Sequence, residues 1–237
     1  MQTQRILFVV TSANRMGNTP TPTGSWLEEV AAPYYTFLDA RYEVTLASPN
    51  GGAAPVDALS LEPENQTAST RRFAADVKAQ QALASTQKLS DIDVSAYDAL
   101  YFPGGHGTME DFPADAHVKA AVEQFYATGK PVASVCHAPA CLVNATKPNG
   151  ETLIKGHRFT CFSDAEEALI GLEKMVPFLL ESRLTEQGGK ASVAEPFTSN
   201  MVADAPLFTG QNPASAIPLA EAVIHHLRMQ MPYRHAA

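Results

Sequence analysis

Along the chain, short apolar runs rich in β-branched residues alternate with longer stretches whose apolar positions recur every three or four residues. The runs at 5–10, 42–47, 99–102 and 131–135 are bounded by Gly, Pro, Asn or Ser, a pattern that predicts buried strands. Between them, Leu27, Val30, Ala31, Tyr34 and Leu38 fall on one helical face, as do Val118, Ala121, Val122 and Phe125. Strands alternating with amphipathic helices imply parallel pairing through right-handed crossovers. The predicted fold class is therefore α/β, a doubly wound and mostly parallel sheet with helices on both faces. Downstream, 158–162 and 191–194 are candidate strands, and 207–210 reads as a last short one. Pro177 at a first-turn position predicts a helix through Leu184, stopped by Gly188-Gly189. A final helix is predicted just after Asn212-Pro213, capped by Asn212, with Ile217, Ile224 and Leu227 on one face. The tail after Met229 is expected to fray.

Two stretches depart from this alternation. Residues 12–24, rich in Thr, Pro, Asn and Gly, follow the first strand at the end where doubly wound sheets place their ligands, which makes them a candidate active-site loop. Residues 50–90 are polar and rich in Ala and Gln, with a helix predicted around 70–83. They read as an insertion or cover, extending over about 50–97, on one single domain spanning 1–237. Composition supports an ordinary globular chain, with 45% hydrophobic and 18% charged residues. A net charge of −8 without a basic cluster argues against nucleic acid and anionic membrane surfaces as partners. The run at 6–10 is too short for a signal-peptide core or a membrane span, so a soluble, cytoplasmic protein is expected. Three cysteines in no metal-ligand spacing suggest neither a disulfide framework nor a zinc site.

Candidate chemistry sits at three strand ends. Residues 131–140, PVASVCHAPA, run a buried strand directly into Cys136-His137, with small residues at Ser134 and Ala138. That is the spacing of a nucleophile elbow, in which the chain turns so tightly that bulky neighbours would collide. A helix starting there is expected to lower the thiol pKa. The same residues also fit an inert, buried strand-end cysteine followed by a loop histidine. The second segment, Pro103-Gly104-Gly105-His106-Gly107-Thr108, follows another strand, and its glycines would let backbone N–H groups approach an oxyanion. It lacks the spacing of a phosphate-binding loop, although a plain tight turn is compatible with it. The third is the start of the first helix, where Glu28 and Glu29 could simply answer the macrodipole. Helical angles separate the two. Glu28 shares a side with Asp39, whereas Glu29 borders a shoulder of Trp26, Pro33 and Phe37. Desolvation there would raise the pKa of Glu29 and suit it to proton transfer.

Taken together and in this order, the three segments resemble the ThiJ/PfpI superfamily, whose flavodoxin-like fold is that of class I glutamine amidotransferase domains. Within it the chain is similar to the branch of glutathione-independent glyoxalases (glyoxalase III) and heat-shock chaperones. The likeness extends through Asp111-Phe112-Pro113, Phe162-Ser163-Asp164 leading to Glu167, and 209–215. It implies Cys136 as nucleophile, His137 as its base or orienting group, and Glu29 as the acid beside the thiol. Oxyanion donors would be the N–H groups of Gly105 and His137, with Gly104 and His106 at the substrate. A third acid would be Glu167, with Asp164 and Glu166 close enough to compete. Ala138 stands where many relatives have Gly. The resemblance further implies a small carbonyl substrate such as a 2-oxoaldehyde, no metal or other cofactor, and a homodimer. A cysteine hydrolase acting on amides or peptides would use the same elbow, and a stress chaperone or redox-responsive protein is the other alternative that the superfamily allows.

Overall fold

The computed structural model describes residues 3–230. Its central sheet is built from the apolar runs. β1 (Arg5–Val9), β2 (Glu43–Ser48), β3 (Gln87–Lys88), β4 (Ala99–Phe102), β5 (Val132–Val135), β8 (Met201–Asp204) and β9 (Leu207–Gly210) form seven strands in the order β3-β2-β1-β4-β5-β9-β8. All pairings are parallel except that of β8 with β9. β1 lies between β2 and β4, with Ile6 opposite Val44 on one side and Phe8 opposite Tyr101 on the other. The order reverses at β1 and β4, so the crossovers leave to opposite faces and open a crevice beyond the carboxyl ends of these strands.

Because side chains alternate along a strand, the central strands feed two separate cores. On one face Ile6, Phe8, Tyr101 and Val135 pack against α1 (Leu27–Asp39) and α8 (Ala216–Gln230). Phe8 stacks on Tyr101 with ring centroids 4.7 Å apart and meets Phe37 edge-on at 5.8 Å. On the other face Leu7, Val9, Leu100 and Phe102 pack against α5 (Ala116–Ala127) and Leu142, Leu153 and Leu184. Each such large side chain, fully removed from water, contributes on the order of 2 kcal/mol to the fold. α1 is more deeply covered than a single apolar stripe requires, since Tyr35 and Phe37 are buried as well as Val30, Ala31 and Tyr34.

Several predicted elements differ in extent. The helix expected around 70–83 is two helices, α2 (Ala68–Ala75) and α3 (Val77–Ala84). Asp76 leaves the helical conformation between them, and its carboxylate accepts from the Lys78 and Ala79 N–H groups at 3.0 and 3.2 Å. The candidate strands 158–162 and 191–194 do not join the main sheet. Only β6 (Arg158–Phe159) and β7 (Lys190–Ala191) form, paired with each other. Beyond Phe159 the chain is tied to the main sheet by single bonds, with Thr160 N–H donating to Thr209 Oγ1 of β9 and Phe162 N–H to the Cys136 carbonyl just after β5. The helix predicted from Pro177 starts later, as α7 (Leu180–Glu186), because the preceding bends turn Val176, Phe178 and Leu179 onto the core. Ile217 lies at the edge of the α8 stripe and is 41% exposed. Leu219, Val223, Ile224 and Leu227 form the buried face. Of the tail expected to fray after Met229, Gln230 is still helical at the end of α8, and 231–237 lie outside the described residues. Two short helices complete the fold and bear on the site, α4 (Gly107–Asp111) and α6 (Asp164–Leu169).

Candidate active site

Cys136 follows the last residue of β5 in a left-handed conformation, φ 61°. A non-glycine residue held there costs about 1–2 kcal/mol, and the surrounding backbone supplies the restraint. Cys136 N–H donates to Gly210 O of β9 at 2.9 Å, and Phe162 N–H donates to Cys136 O at 2.8 Å. Clamped from both sides, the cysteine projects its thiol into the crevice while remaining only 5% exposed. Ser134 and Ala138 flank it without exposed surface to spare, and the Ala138 methyl is fully buried in the turn. The expected helix N-terminus is absent at this point. A five-residue 3₁₀ turn, Ala138–Leu142, follows instead. Burial, and after it the charge of Glu29, push the Cys136 thiol well above its ordinary pKa, so the thiol is held protonated at rest.

Glu29 stands on the first turn of α1 with no exposed surface. Its carboxyl faces the Cys136 thiol and the Gly104 amide, yet neither oxygen has a hydrogen-bond partner of ordinary geometry. Desolvation raises its pKa to about 8, against the smaller opposing pull of the Cys136 and Gly104 contacts. Glu28 differs in the way its helical angle indicated. It is partly exposed and accepts from the Thr67 hydroxyl of the cover segment. Gly104 is what lets Glu29 and Cys136 meet. A Cβ there would lie 2.4 Å from Glu29 Oε2 and 2.8 Å from Cys136 Cβ. Gly105, at φ 108°, packs so closely on the 24–26 backbone that a Cβ would lie 2.3 Å from Gly24 O. Its backbone N–H opposes, by a small amount, the rise in the Cys136 thiol pKa.

Three acids lie close together after Phe162, and the structure separates their surroundings. Ser163 and Glu166 form a capping box at the start of α6. Glu166 also accepts from Phe197 N–H, Gln211 Nε2 and Asn212 Nδ2 at 2.8, 3.1 and 2.9 Å, so its carboxylate is consumed in joining α6 to the segments before β8 and after β9. Asp164 accepts from the Ser182 hydroxyl of α7. Glu167, one position further round α6, is turned to the crevice. Its Oε2 lies 2.7 Å from His137 Nε2 and its Oε1 2.9 Å from His106 Nε2. Burial alone would raise the Glu167 pKa, but the hydrogen bonds from the two imidazoles outweigh it and hold the group down at about 2. Burial, and next the neighbouring His106, lower the His137 pKa to about 4.

These contacts assign the tautomer by hydrogen-bond logic. Neutral His137 donates Nε2–H to the Glu167 carboxylate, which leaves Nδ1 as an acceptor 3.2 Å from Cys136 Sγ. His106 donates Nε2–H to the same carboxylate and lies against His137 with ring centroids 3.9 Å apart. The link from His106 to Glu167 was invisible in the sequence, where the two are 61 positions apart. The hub formed by Glu166 carried one readable signal, the Ser-x-x-Glu spacing of a capping box. The donor atoms of His106, His137 and Glu167 lie within 4.8 Å of one another and could hold a divalent metal, although hydrogen bonds already satisfy this set.

Above the thiol opens a cavity of about 790 Å³. The loop at 12–24 contributes Met16, Thr21 and Pro22 to its wall, and the cover segment contributes Asp57, Leu59 and Glu64. The loop is anchored from below, where Thr11 Oγ1 and Ser12 N–H both donate to Asp111 Oδ2 at 2.9 and 2.7 Å. Burial raises the Asp111 pKa to about 6.

A doubly wound sheet with an elbow cysteine, a histidine–carboxylate pair and a buried acid over its switch point defines the class of cysteine proteins that share the amidotransferase fold. The chain belongs to the DJ-1/PfpI family, whose model matches residues 23–226. Over 229 residues it is 31% identical to Glyoxalase 3 of Candida albicans, covering 93% of this chain and 97% of that protein. The crystal structure of glyoxalase III from Candida albicans superposes with a TM-score of 0.85 at 30% identity, over 94% of this chain and 96% of the other. The Rapid Encystment Protein 24 kDa of Francisella tularensis gives a TM-score of 0.91 at 36% identity, over 95% and 99% of the two chains. Among the described residues no helix is long and apolar enough to cross a membrane.

Proposed function

We propose that this protein is a glutathione-independent glyoxalase that converts 2-oxoaldehydes such as methylglyoxal to 2-hydroxy acids such as lactate. The observation that carries the reading is the buried Glu29 carboxyl against the Cys136 thiol, with a pKa of about 8. An amide hydrolase needs the nucleophile and its histidine. Moving a proton between adjacent carbons needs a second acid–base group whose pKa lies near the working pH. The similarity to Glyoxalase 3 and to the glyoxalase III structure supports the same reading.

In this mechanism Cys136 Sγ attacks the aldehyde carbon C1 as its proton passes to His137 Nδ1, with Glu167 stabilising the imidazolium. The C1 oxygen gathers charge, is met by the N–H groups of Gly105 and His137, and takes the proton back from His137 to give the hemithioacetal. Glu29, in its carboxylate form, removes the C1 hydrogen; the electron pair forms C1=C2, and charge moves to the C2 oxygen. The same carboxyl then returns the proton to C2. The C1 hydroxyl proton moves to the C2 oxygen, leaving a 2-hydroxyacyl thioester on Cys136. Water, deprotonated by His137, adds to C1, the C–S bond breaks, and the thiol regains its proton. His106 and Gly104 position the substrate and the acid beside it. On this reading the chain is a lyase of the hydro-lyase (D-lactate dehydratase) type, a single domain with a cover at about 50–97 that acts in the cytoplasm as a homodimer and without a cofactor.

The test is incubation of the purified protein with methylglyoxal in the absence of glutathione, with product identification and a Cys136→Ala control. Lactate formed by the wild type and not by the control is the expected result. A wild type that forms no lactate but cleaves an amide or ester would replace the glyoxalase with the hydrolase.

A further inference from the structure

The cavity is far larger than the chemistry below it demands. At about 790 Å³ it lies in the range that encloses drug-sized ligands, and a three-carbon aldehyde would occupy a small corner of it. Its walls also have a distinct character. Trp26, Phe162, Ile170, Leu172 and Phe197 line it, and among the described residues of its wall there is neither a lysine nor an arginine. The charged groups on its wall are Asp57 and Glu64, which repel anions.

An independent observation concerns Phe197. This residue is 50% exposed, yet its backbone is held at φ 59°, a conformation that a bulky aromatic residue rarely adopts. The restraint comes from the buried Glu166, which accepts the Phe197 N–H at 2.8 Å. The strain is therefore maintained to hold a large apolar side chain at the mouth of the cavity, with half of its surface left in water. Behind it, Phe162 lies 6.2 Å from Phe197 and 4.4 Å from the His137 ring, so aromatic surface runs from the rim down to the reacting centre.

Building on the proposed glyoxalase activity, we infer that the preferred substrates are uncharged 2-oxoaldehydes bearing an aromatic or branched apolar substituent, which lies along Phe162 and Phe197 while the aldehyde reaches Cys136. Small oxoaldehydes are poorer substrates because they leave this surface wet, and anionic ones are poorer because Asp57 and Glu64 face them and no lysine or arginine among the described lining residues receives them.

The experiment compares kcat/KM for phenylglyoxal, methylglyoxal and 4-carboxyphenylglyoxal. Phenylglyoxal is expected to exceed methylglyoxal by tenfold or more, chiefly through KM, and the carboxylated analogue to fall below phenylglyoxal by a similar factor. Phe197→Ala, at an exposed position, is expected to reduce the phenylglyoxal-to-methylglyoxal ratio several-fold, and Phe197→Leu to restore part of it. A binding measurement separates substrate preference from turnover. Trp26 is the sole tryptophan and lines the cavity. Its fluorescence in Cys136→Ala is expected to respond to 1-phenyl-1,2-propanedione with saturation, and the added Phe197→Ala to weaken that binding several-fold. Equal kcat/KM for phenylglyoxal and methylglyoxal, or a preference for the anion, overturns this inference and leaves the glyoxalase standing. Saturable binding of the dione without turnover of any oxoaldehyde overturns the glyoxalase and leaves the apolar site.

Discussion

Replacing Glu29 by Gln should make the protein more stable and nearly inactive. In the folded protein the carboxyl titrates at about 8, against an ordinary value of 4.5. The folded state therefore binds more protons than the unfolded state over that interval, and stability is lost as pH rises from 4.5 to 8. At ~1.4 kcal/mol per pH unit the full loss is about 5 kcal/mol, of which about 3 kcal/mol has occurred by pH 7. Gln has the same shape and no proton to lose, and the carboxyl oxygens of Glu29 have no well-formed hydrogen bond to forfeit. Thermal melts followed by circular dichroism across pH 4–9 should show Glu29→Gln matching the wild type at the acid end and exceeding it by about 3 kcal/mol at pH 7. For a chain of this size that corresponds to a rise in Tm of roughly 6–12 °C. Over the same series kcat/KM for methylglyoxal should fall by about 10²–10⁴-fold, the typical worth of a positioned acid–base group. A variant with wild-type Tm at pH 7 and an unchanged pH slope would show that Glu29 is ionised in the fold. Retained turnover would show that the proton shuttle lies elsewhere.

Glu167→Gln, which can present its amide N–H to a histidine, should trap His137 with Nδ1 protonated and lower kcat by about 10²-fold or more, with little change in KM for methylglyoxal. Gly104→Ala places a Cβ against Glu29 Oε2 and the Val135 carbonyl, each at 2.4 Å; urea titration should show a loss of about 1–3 kcal/mol, together with lost activity. Asp76→Ala removes both hydrogen bonds at the start of α3 and should lower stability by about 1 kcal/mol at pH 7, with kcat/KM unchanged because Asp76 lies away from the cavity.

The strands that carry the site were the legible ones for a physical reason. β1, β4 and β5 are buried on both faces, so they appear as continuous apolar runs that few other structures produce. The edge strands gave no such signal. Gln87–Lys88 is polar and exposed, and Met201–Asp204 owes its antiparallel pairing to β9 rather than to its own pattern. The helix break at Asp76 was hidden because good helix formers, Arg71, Arg72, Ala74 and Ala75 before it and Lys78 to Ala82 after it, continue on either side. Within the site, Cys136 and His137 are neighbours in the chain, and the choice of Glu29 over Glu28 followed from helical angle alone. Glu167 was reached only through resemblance, 30 residues from its partner. The capping box explains the ambiguity, since it turns Glu166 back onto Ser163 and leaves the next residue free to face the histidines.

The crowding around Glu167 also governs how long this centre can hold a proton. The His106 and His137 rings lie 3.9 Å apart, and burial, with His106 next to it, works against protonation of His137 more strongly than the shared Glu167 carboxylate favours it. His137 is thus a poor place for a proton to rest. In the proposed mechanism a proton taken from the thiol is therefore passed on readily to the substrate oxygen. On that proposal the packed, dry surroundings of the ring favour passing a proton on over keeping it.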